Sequence, residues 1–421
     1  MNLIKVFSSC SKVRQEKIGK EDGYTRTEGH SKLLPEGYDT QIHIAISILA
    51  VYGTLMIGSA SMGLSVGNNQ YLLTNVVKQL LFAATGYIAM CWLANHFKLS
   101  FLKSRQFLYI IFATILSLLA CLGFGAVGGA KAWIRIPLSF TEMSLQPSEF
   151  AKITVILIVA AYCGDIRQTF KSGWEMIRRP VIMIVIICAI VLILQGDFGS
   201  MAVIVTVAFQ CFLIPSHKQM KKYQTAGVII FTVVLAGLLY VLSPLGEGTI
   251  KAMSFLQEYQ RNRFLSVIDP FYDRYNTGFQ LIRGLTSFAT GGWFGVGFGH
   301  SVNKYTQFPA ANTDYILAIL VEELGFIGFM GLMILYGVII VRCTMYALKI
   351  RNESARGILI GTSSYLLVHM LFNIGGVTGL IPLTGVPLLM ISAGGSSTMS
   401  FMMMIGISQA VISGFNRNEY K

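Results

Sequence analysis

The stretch PAANTDYILAILVEELG, residues 309–325, decides how the rest of the chain is read. It closes a long polar and aromatic segment that begins at Ser243 and carries QEYQRNRF (257–264), DPFYDRYNTGFQLIRGL (269–285) and TGGWFGVGFGH (290–300). At Asp314 the polar character ends and an apolar run begins. On either side of this segment the sequence reads as one hydrophobic span after another. A loop of such length is uncommon unless it has a task, so Ser243–Thr313 is expected to be an extracellular catalytic loop, with Asp314 at the mouth of the next span.

Composition supports a membrane setting. Of 421 residues, 54% are hydrophobic and only 13% charged, and the mean hydropathy is +0.62. Soluble domains carry about twice that charge fraction. The net charge of +13 fits basic residues gathering in cytoplasmic loops. Nucleic-acid binding is excluded, because no basic stripe with interleaved aromatics lies outside the spans. The seven cysteines, Cys10, Cys91, Cys121, Cys163, Cys188, Cys211 and Cys343, fall mostly in apolar runs and form no CxxC or Cys/His cluster. That pattern speaks against a disulfide framework or a structural zinc.

The expected fold is all-α: a polytopic membrane protein of ten transmembrane helices with the large extracellular loop between helices 7 and 8. Residues 1–41 lack the apolar core of a signal peptide and read as a cytoplasmic tail; residues 414–421 form a second. Between them lie apolar runs near the roughly 20 residues of a bilayer crossing, at 42–62, 72–94, 106–127, 147–163, 180–194, 200–214, 224–243, 314–341, 357–374 and 385–413. Alternate short loops hold Lys98, Lys103 and Arg105; Arg167, Lys171, Arg178 and Arg179; Lys218, Lys221 and Lys222; and Arg342, Lys349, Arg351 and Arg356. The intervening loops Ser61–Tyr71, Gln195–Gly199 and Gly375–Thr384 have no Lys or Arg. That asymmetry places both termini in the cytoplasm and the long loop outside.

Asp314 leads the candidates for chemistry, since an ionisable group at the end of a span usually faces a cavity. The competing role is a helix N-cap. Glu322 shares its helical face; Glu322 and Glu323 suit buried ion pairs as well as any functional role. Glu149 and Lys152 stand at i and i+3 where the fourth span begins, behind a Pro-Ser helix start, and suit helix locking or chemistry. Lys131 and Arg135 lie in an external loop that is otherwise expected to lack positive charge, and with Trp133 between them they resemble an anion clamp. In the large loop Arg261, Arg263, Arg274, Arg283 and Lys304, interleaved with Tyr259, Phe264, Phe271, Tyr272 and Tyr275, suggest a surface lying on lipid headgroups, and Arg261, Arg263 and Lys304 are expected to bind substrate. Gly291, Gly292, Gly295, Gly297 and Gly299 lack the Lys-Ser/Thr ending of a nucleotide loop and fit a tight re-entrant turn. His300, His369 and Asp197 read as structural.

GGAKAWI (128–134), LQPSEFAK (145–152), QGDFGS (195–200), DPFYDRYNTGFQLIRGL, GGWFGVGFGHSVNK (291–304), NTDYILAILVEELGFIG (312–328) and TGVPLLMISAGGSS (384–397) occur in this order. Together they resemble the shape-elongation-division-sporulation (SEDS) family, over about residues 42–413 and closer to its FtsW than its RodA branch. The resemblance implies ten transmembrane helices in the bacterial plasma membrane. It also implies polymerisation of lipid II, the undecaprenyl-pyrophosphate-linked disaccharide-pentapeptide, into β-1,4 glycan during division, beside a class B penicillin-binding protein and other division proteins. By motif position Asp314 matches the family's essential aspartate, and Lys131, Trp133, Glu149 and Lys152 match other functional positions. The family's PEAHTD is Pro309-Ala310-Ala311-Asn312-Thr313-Asp314 here, GAKRW has Ala132, QPDFG has Gly196, and PFISYGG becomes Leu389-Met390-Ile391-Ser392-Ala393-Gly394-Gly395.

The expected chemistry needs a general base on an acceptor hydroxyl and cations for a departing diphosphate. Asp314 takes the first role. Lys131, Arg135, Arg261 and Arg263 take the second, with or without a divalent cation, Mg2+ or Mn2+, bridging the oxygens. The rival class is a lipid II flippase or transporter, which would concentrate its polar groups near the midplane.

Overall fold

The structure, a computed structural model, describes residues 33–65, 69–126, 129–138, 141–164, 172–253, 258–271, 273–275, 278–306 and 308–419. The tail 1–32 with Cys10, the loop holding Arg167 and Lys171, and Tyr272 lie outside the described residues.

Helices in chain order are α1 (Thr40–Leu64), α2 (Asn69–His96), α3 (Arg105–Ala120), α4 (Pro147–Cys163), α5 (Gly173–Ala189), α6 (Phe198–Phe212), α7 (Lys221–Val241), α8 (Glu247–Ala252), α9 (Glu258–Ile268), α10 (Phe279–Gly291), α11 (Ile316–Lys349), α12 (Glu353–Thr378) and α13 (Gly395–Asn416). Among the described residues, eight helices are long and apolar enough to cross a membrane. The helices α4 and α6, of 17 and 15 residues, occupy the two remaining apolar runs. Their setting explains their composition. Nearly every side chain of α4 is buried, so it is the central stave of the bundle, whereas α7 buries none and presents apolar side chains all round.

Several boundaries differ from the sequence reading. α5 starts at Gly173, capped by Ser172, and carries Pro180 inside it, so the proline does not begin the span. It runs on through a π-turn at Ile190–Leu194. The loop expected at 128–146 contains a hairpin of β1 (Ile134–Leu138) and β2 (Thr141–Leu145), paired antiparallel with Ile134 opposite Leu145. The long loop holds the helices α8, α9 and α10. The last span does not start at 385. Residues 382–388 have no regular structure, and the helix begins only at Gly395. Gly385 and Met390 take left-handed backbone (φ 70° and 68°), which breaks any helix there.

This irregular segment is nevertheless buried: Leu388, Leu389, Met390 and Ile391 are fully enclosed. Unpaired backbone at such depth is costly, and side chains from the bundle supply partners. Tyr336 Oη donates to Leu389 O at 2.5 Å, Asn373 Nδ2 to Val386 O at 3.1 Å, and a His369 ring nitrogen lies 3.0 Å from Pro387 O. Gly53 of α1 packs so closely on Met390 O that a Cβ would collide. The β-hairpin, the Gln195–Asp197 turn, the long loop and this segment all lie at one end of the bundle, the loop face. At the opposite end Asp39 caps α1 through Ile42 N and pairs with Arg342 of α11, while Gln409 of α13 bonds its backbone. Residues 34–39 therefore belong to the folded unit.

Candidate active site

Asp314 lies in the turn that leads into α11. It is not the helix cap: Tyr315 holds that position and no side chain caps the end. The turn is fixed from three sides. Asn373 Nδ2 of α12 donates to Asp314 O at 3.0 Å, Ser392 Oγ donates to Thr313 O at 2.8 Å, and Ala393 N donates to Asn312 O at 2.8 Å. A Cβ added at Gly385 would meet Asp314 Oδ2 at 3.9 Å, so the carboxylate lies against the irregular segment. The Asp314 side chain remains partly exposed, yet crowding removes enough water to raise its carboxyl above the ordinary value, and the Arg263 guanidinium opposes that rise. Arg263 Nη1 also donates to Leu383 O at 2.9 Å, tying α9 to the same segment.

Beneath this turn runs a polar stripe on α12. Tyr365, His369 and Asn373 stand at i, i+4 and i+8, one face of a helix. Tyr365 Oη lies 3.1 Å from Glu149 Oε2, and His369 Nε2 lies 3.0 Å from Lys152 Nζ. Lys152 Nζ and Glu149 Oε1 are 2.7 Å apart, each side chain 1% exposed. Glu149 and Lys152 are thus enclosed within the bundle and connect, through His369 and Pro387 O, to the segment that carries the Asp314 turn. Sequence reasoning passed over Asn373 and read His369 as structural. The signal available was the spacing of three polar residues on one face of an apolar span.

The remaining candidates divide. Lys131 is exposed and its N–H donates to Gln195 O at 2.8 Å; Trp133 and Arg135 are half-buried at the start of the hairpin. Gln146, just beyond β2, donates from Nε2 to Asp197 Oδ2 at 3.0 Å and from its backbone N–H to Ser396 Oγ at 2.9 Å. Asp197 caps α6 through Ser200 N, and Gly199 abuts Thr384 O. The hairpin and the irregular segment are therefore joined. Arg261 is half-buried on α9. Lys304, expected to offer its charge to an external anion, is instead fully buried: Nζ lies 2.8 Å from Glu323 Oε1, 3.0 Å from Ser59 Oγ and 2.7 Å from Gly299 O. Glu322 accepts from Ser301 Oγ and from the N–H groups of Val302 and Asn303, so it anchors the loop and does not join Asp314. Among the described residues no three His, Cys, Asp or Glu side chains gather as a metal site.

Comparison with known proteins bears on this arrangement. A family model described as cell cycle protein, covering FtsW, RodA and SpoVE, matches residues 39–416. The chain belongs to this family. It is 32% identical over 379 residues to a Bacillus subtilis (strain 168) protein named probable peptidoglycan glycosyltransferase FtsW, covering 89% of this chain and 91% of that one. It is 29% identical to the protein of the same name from Coxiella burnetii, over 88% and 95% of the two chains. A solved chain from work titled "Structural coordination of polymerization and crosslinking by a peptidoglycan synthase complex" shares the fold, with a TM-score of 0.69 and 23% identity over 90% of this chain and 98% of that one. Ala310 and Met390–Ala393, which fall in two of the stretches quoted from the sequence, lie at this site. Ala310 takes left-handed backbone (φ 56°) and accepts from the N–H groups of Thr313 and Tyr315, and Met390–Ala393 form the buried turn that supports Asn312 and Thr313. Both stretches form the backbone scaffold of Asp314.

Proposed function

We propose that the chain is a peptidoglycan glycosyltransferase that polymerises lipid II at the outer surface of the bacterial plasma membrane during cell division, with both termini cytoplasmic and ten crossings. The observation that carries this reading is Asp314: a carboxylate with a raised pKa, partly open, on a rigidly supported turn at the loop face.

The acceptor sugar's 4-hydroxyl attacks the anomeric carbon of the lipid-linked donor. Asp314 removes the hydroxyl proton, the new C–O bond forms, and the bond from the anomeric carbon to the diphosphate oxygen breaks. Undecaprenyl diphosphate leaves with the electron pair. Because this leaving group is already a weak base, one carboxylate suffices where glycosidases need two. A single displacement inverts the α-linked donor to a β-1,4 product. Arg263, beside Asp314, together with Arg261, Lys131 and Arg135, supplies positive charge for the diphosphate, and Trp133 provides an apolar wall between the two hairpin cations. Were a divalent cation, Mg2+ or Mn2+, to bind with the diphosphate, the Asp314 carboxylate would be available to hold it and the ion would offset phosphate charge. Glu149, Lys152 and Lys304 act from within the fold, by holding the helices that carry the site.

The class B penicillin-binding protein is the proposed partner, crosslinking the strands this chain produces. The flippase reading puts the Glu149–Lys152 pair in the translocation path. Vesicles loaded with lipid II separate the two. Polymer without transfer between leaflets is the expected result; transfer without polymer would overturn the assignment.

A further inference from the structure

The helix α11 is broken at Gly325, whose backbone (φ 68°, ψ −170°) is not helical. In an unbroken helix the N–H groups of Phe326 and Ile327 would bond the carbonyls of Glu322 and Glu323. Here those four groups find partners in the glycine loop. Phe326 N and Ile327 N donate to Gly292 O and Trp293 O at 2.9 and 3.2 Å, while Val296 N and Gly297 N donate to Glu322 O and Glu323 O at 2.9 and 3.0 Å. The loop is thus stitched into the break, with each orphaned backbone group satisfied. Gly295 and Gly297 take left-handed backbone, and a Cβ at Gly295 would collide with Glu323 O.

The stitch fixes the depth of the loop. Along α10 and α11, Gly284 abuts Tyr315, Gly291 abuts Val321 O, and the Trp293 ring meets Phe326 edge-on at 5.2 Å. The two helices therefore descend side by side from the loop face. Ten residues of α11 separate Ile316 from Phe326, which at the helical rise puts the loop tip about 15 Å below the start of the span. Measured from the other end, Phe326 stands about 24 Å along α11 from Arg342, which pairs with Asp39 at the opposite end of the bundle. The tip therefore falls in the leaflet nearer the loop face of a hydrocarbon core about 30 Å thick.

Polarity along this hairpin is inverted relative to a protein in water. Its inward side chains are Ser301, Asn303 and Lys304, all buried, held by Glu322 and Glu323. Its exposed apolar ones include Trp293, Phe294, Phe298 and Val302, at 66%, 80%, 46% and 68% exposure, while the exposed polar ones, Thr286, Thr290 and His300, are bonded to the carbonyls of Ile282, Thr286 and Phe298. No charged residue occurs in 291–299. The exposed rings continue the apolar face of α11 formed by Phe326, Ile327, Met330 and Ile334.

From these observations we infer that the hairpin 279–305 re-enters the membrane and that its aromatic tip is an interaction surface for the acyl chains of the outer leaflet. The tip anchors the first half of α11, and with it the Asp314 turn, at a set depth. Aromatic rings without charge suit that medium, and non-helical backbone is tolerated there because its polar groups are paired within the protein.

Thiol labelling reads the surrounding medium directly. Phe294 and Tyr275 are equally open, at 80% and 78%, so a difference in reactivity reports what surrounds them. In the full chain with Cys10→Ser, reconstituted in phosphatidylcholine vesicles, Tyr275→Cys should react readily with a charged maleimide. Phe294→Cys should react at least about tenfold more slowly, because an apolar medium disfavours the reactive thiolate. A second readout covers the case in which the Phe294 variant misfolds. With Trp92, Trp133 and Trp174 changed to Phe, lipids brominated along the acyl chains should remove most of the Trp293 emission, and aqueous iodide little. Equal maleimide rates, or emission quenched by iodide and not by brominated lipid, would overturn the proposal. Protection that arises only when the transpeptidase is added would reassign the surface to a protein partner and overturn it equally.

Discussion

Lys304→Met removes the cation from a fully enclosed pair. Both side chains of Lys304–Glu323 are 0% exposed, 2.8 Å apart, and among the described residues Glu323 keeps Ser59 Oγ, at 2.6 and 2.7 Å from its two oxygens. Leaving a carboxylate buried without its partner costs about 3–5 kcal/mol, a large part of the margin of a folded protein. Pairing Lys304→Met with Glu323→Gln removes both charges and retains a hydrogen-bond partner for Ser59, so the double variant should return to within about 1–2 kcal/mol of the parent. Unfolding in mixed detergent micelles gives the stabilities, and glycan formed per folded molecule gives the activity. The expected result is a severe loss of stability in the single variant and recovery of stability and specific activity together in the double. A double variant that folds normally yet makes no polymer would refute the structural role and return Lys304 to substrate binding.

Asn373→Ala deprives Asp314 O and Val386 O of their shared donor. At about 1–3 kcal/mol for a buried group left unpaired, the turnover rate should fall by roughly tenfold or more, with lipid II binding within about twofold, as steady-state kinetics would show. Asp314 must be ionised to act as base, and burial raises its pKa. Activity should therefore fall with decreasing pH at values above the usual carboxylate range, and an acid limb at or below that range would contradict the assigned environment. The same raised pKa means that the ionised carboxylate costs stability as pH rises through its folded value. Asp314→Asn should accordingly abolish activity while leaving the melting temperature at neutral pH equal to or above that of the parent, checked by thermal unfolding in detergent.

Much of the bundle was legible because a bilayer crossing demands about 20 apolar residues whatever its neighbours do. Asp314 stood out because it sits where polar sequence becomes apolar. The segment 382–394 was misread for the same reason: VPLLMIS is as apolar as a span, and only the backbone at Gly385 and Met390 reveals that it is buried without being helical. The start of α5 was misplaced because Pro180 reads as a boundary, whereas Ser172 supplies the cap. The pairing of Lys304 with Glu323 depends on the break at Gly325 and the return of the glycine loop, a tertiary arrangement that local pattern does not encode. Asn373 shares one face of its span with Tyr365 and His369, but that spacing does not say what the side chain holds. Its importance comes from the two carbonyls that the fold brings to it.

The most direct measurement is the rate at which purified chain, reconstituted with the proposed transpeptidase partner inactivated for crosslinking, extends labelled lipid II, compared between the parent and Asp314→Asn. The account predicts long glycan from the parent and none from a variant that folds and binds lipid II equally well. Polymer from the Asp314→Asn protein at the parental rate would contradict it.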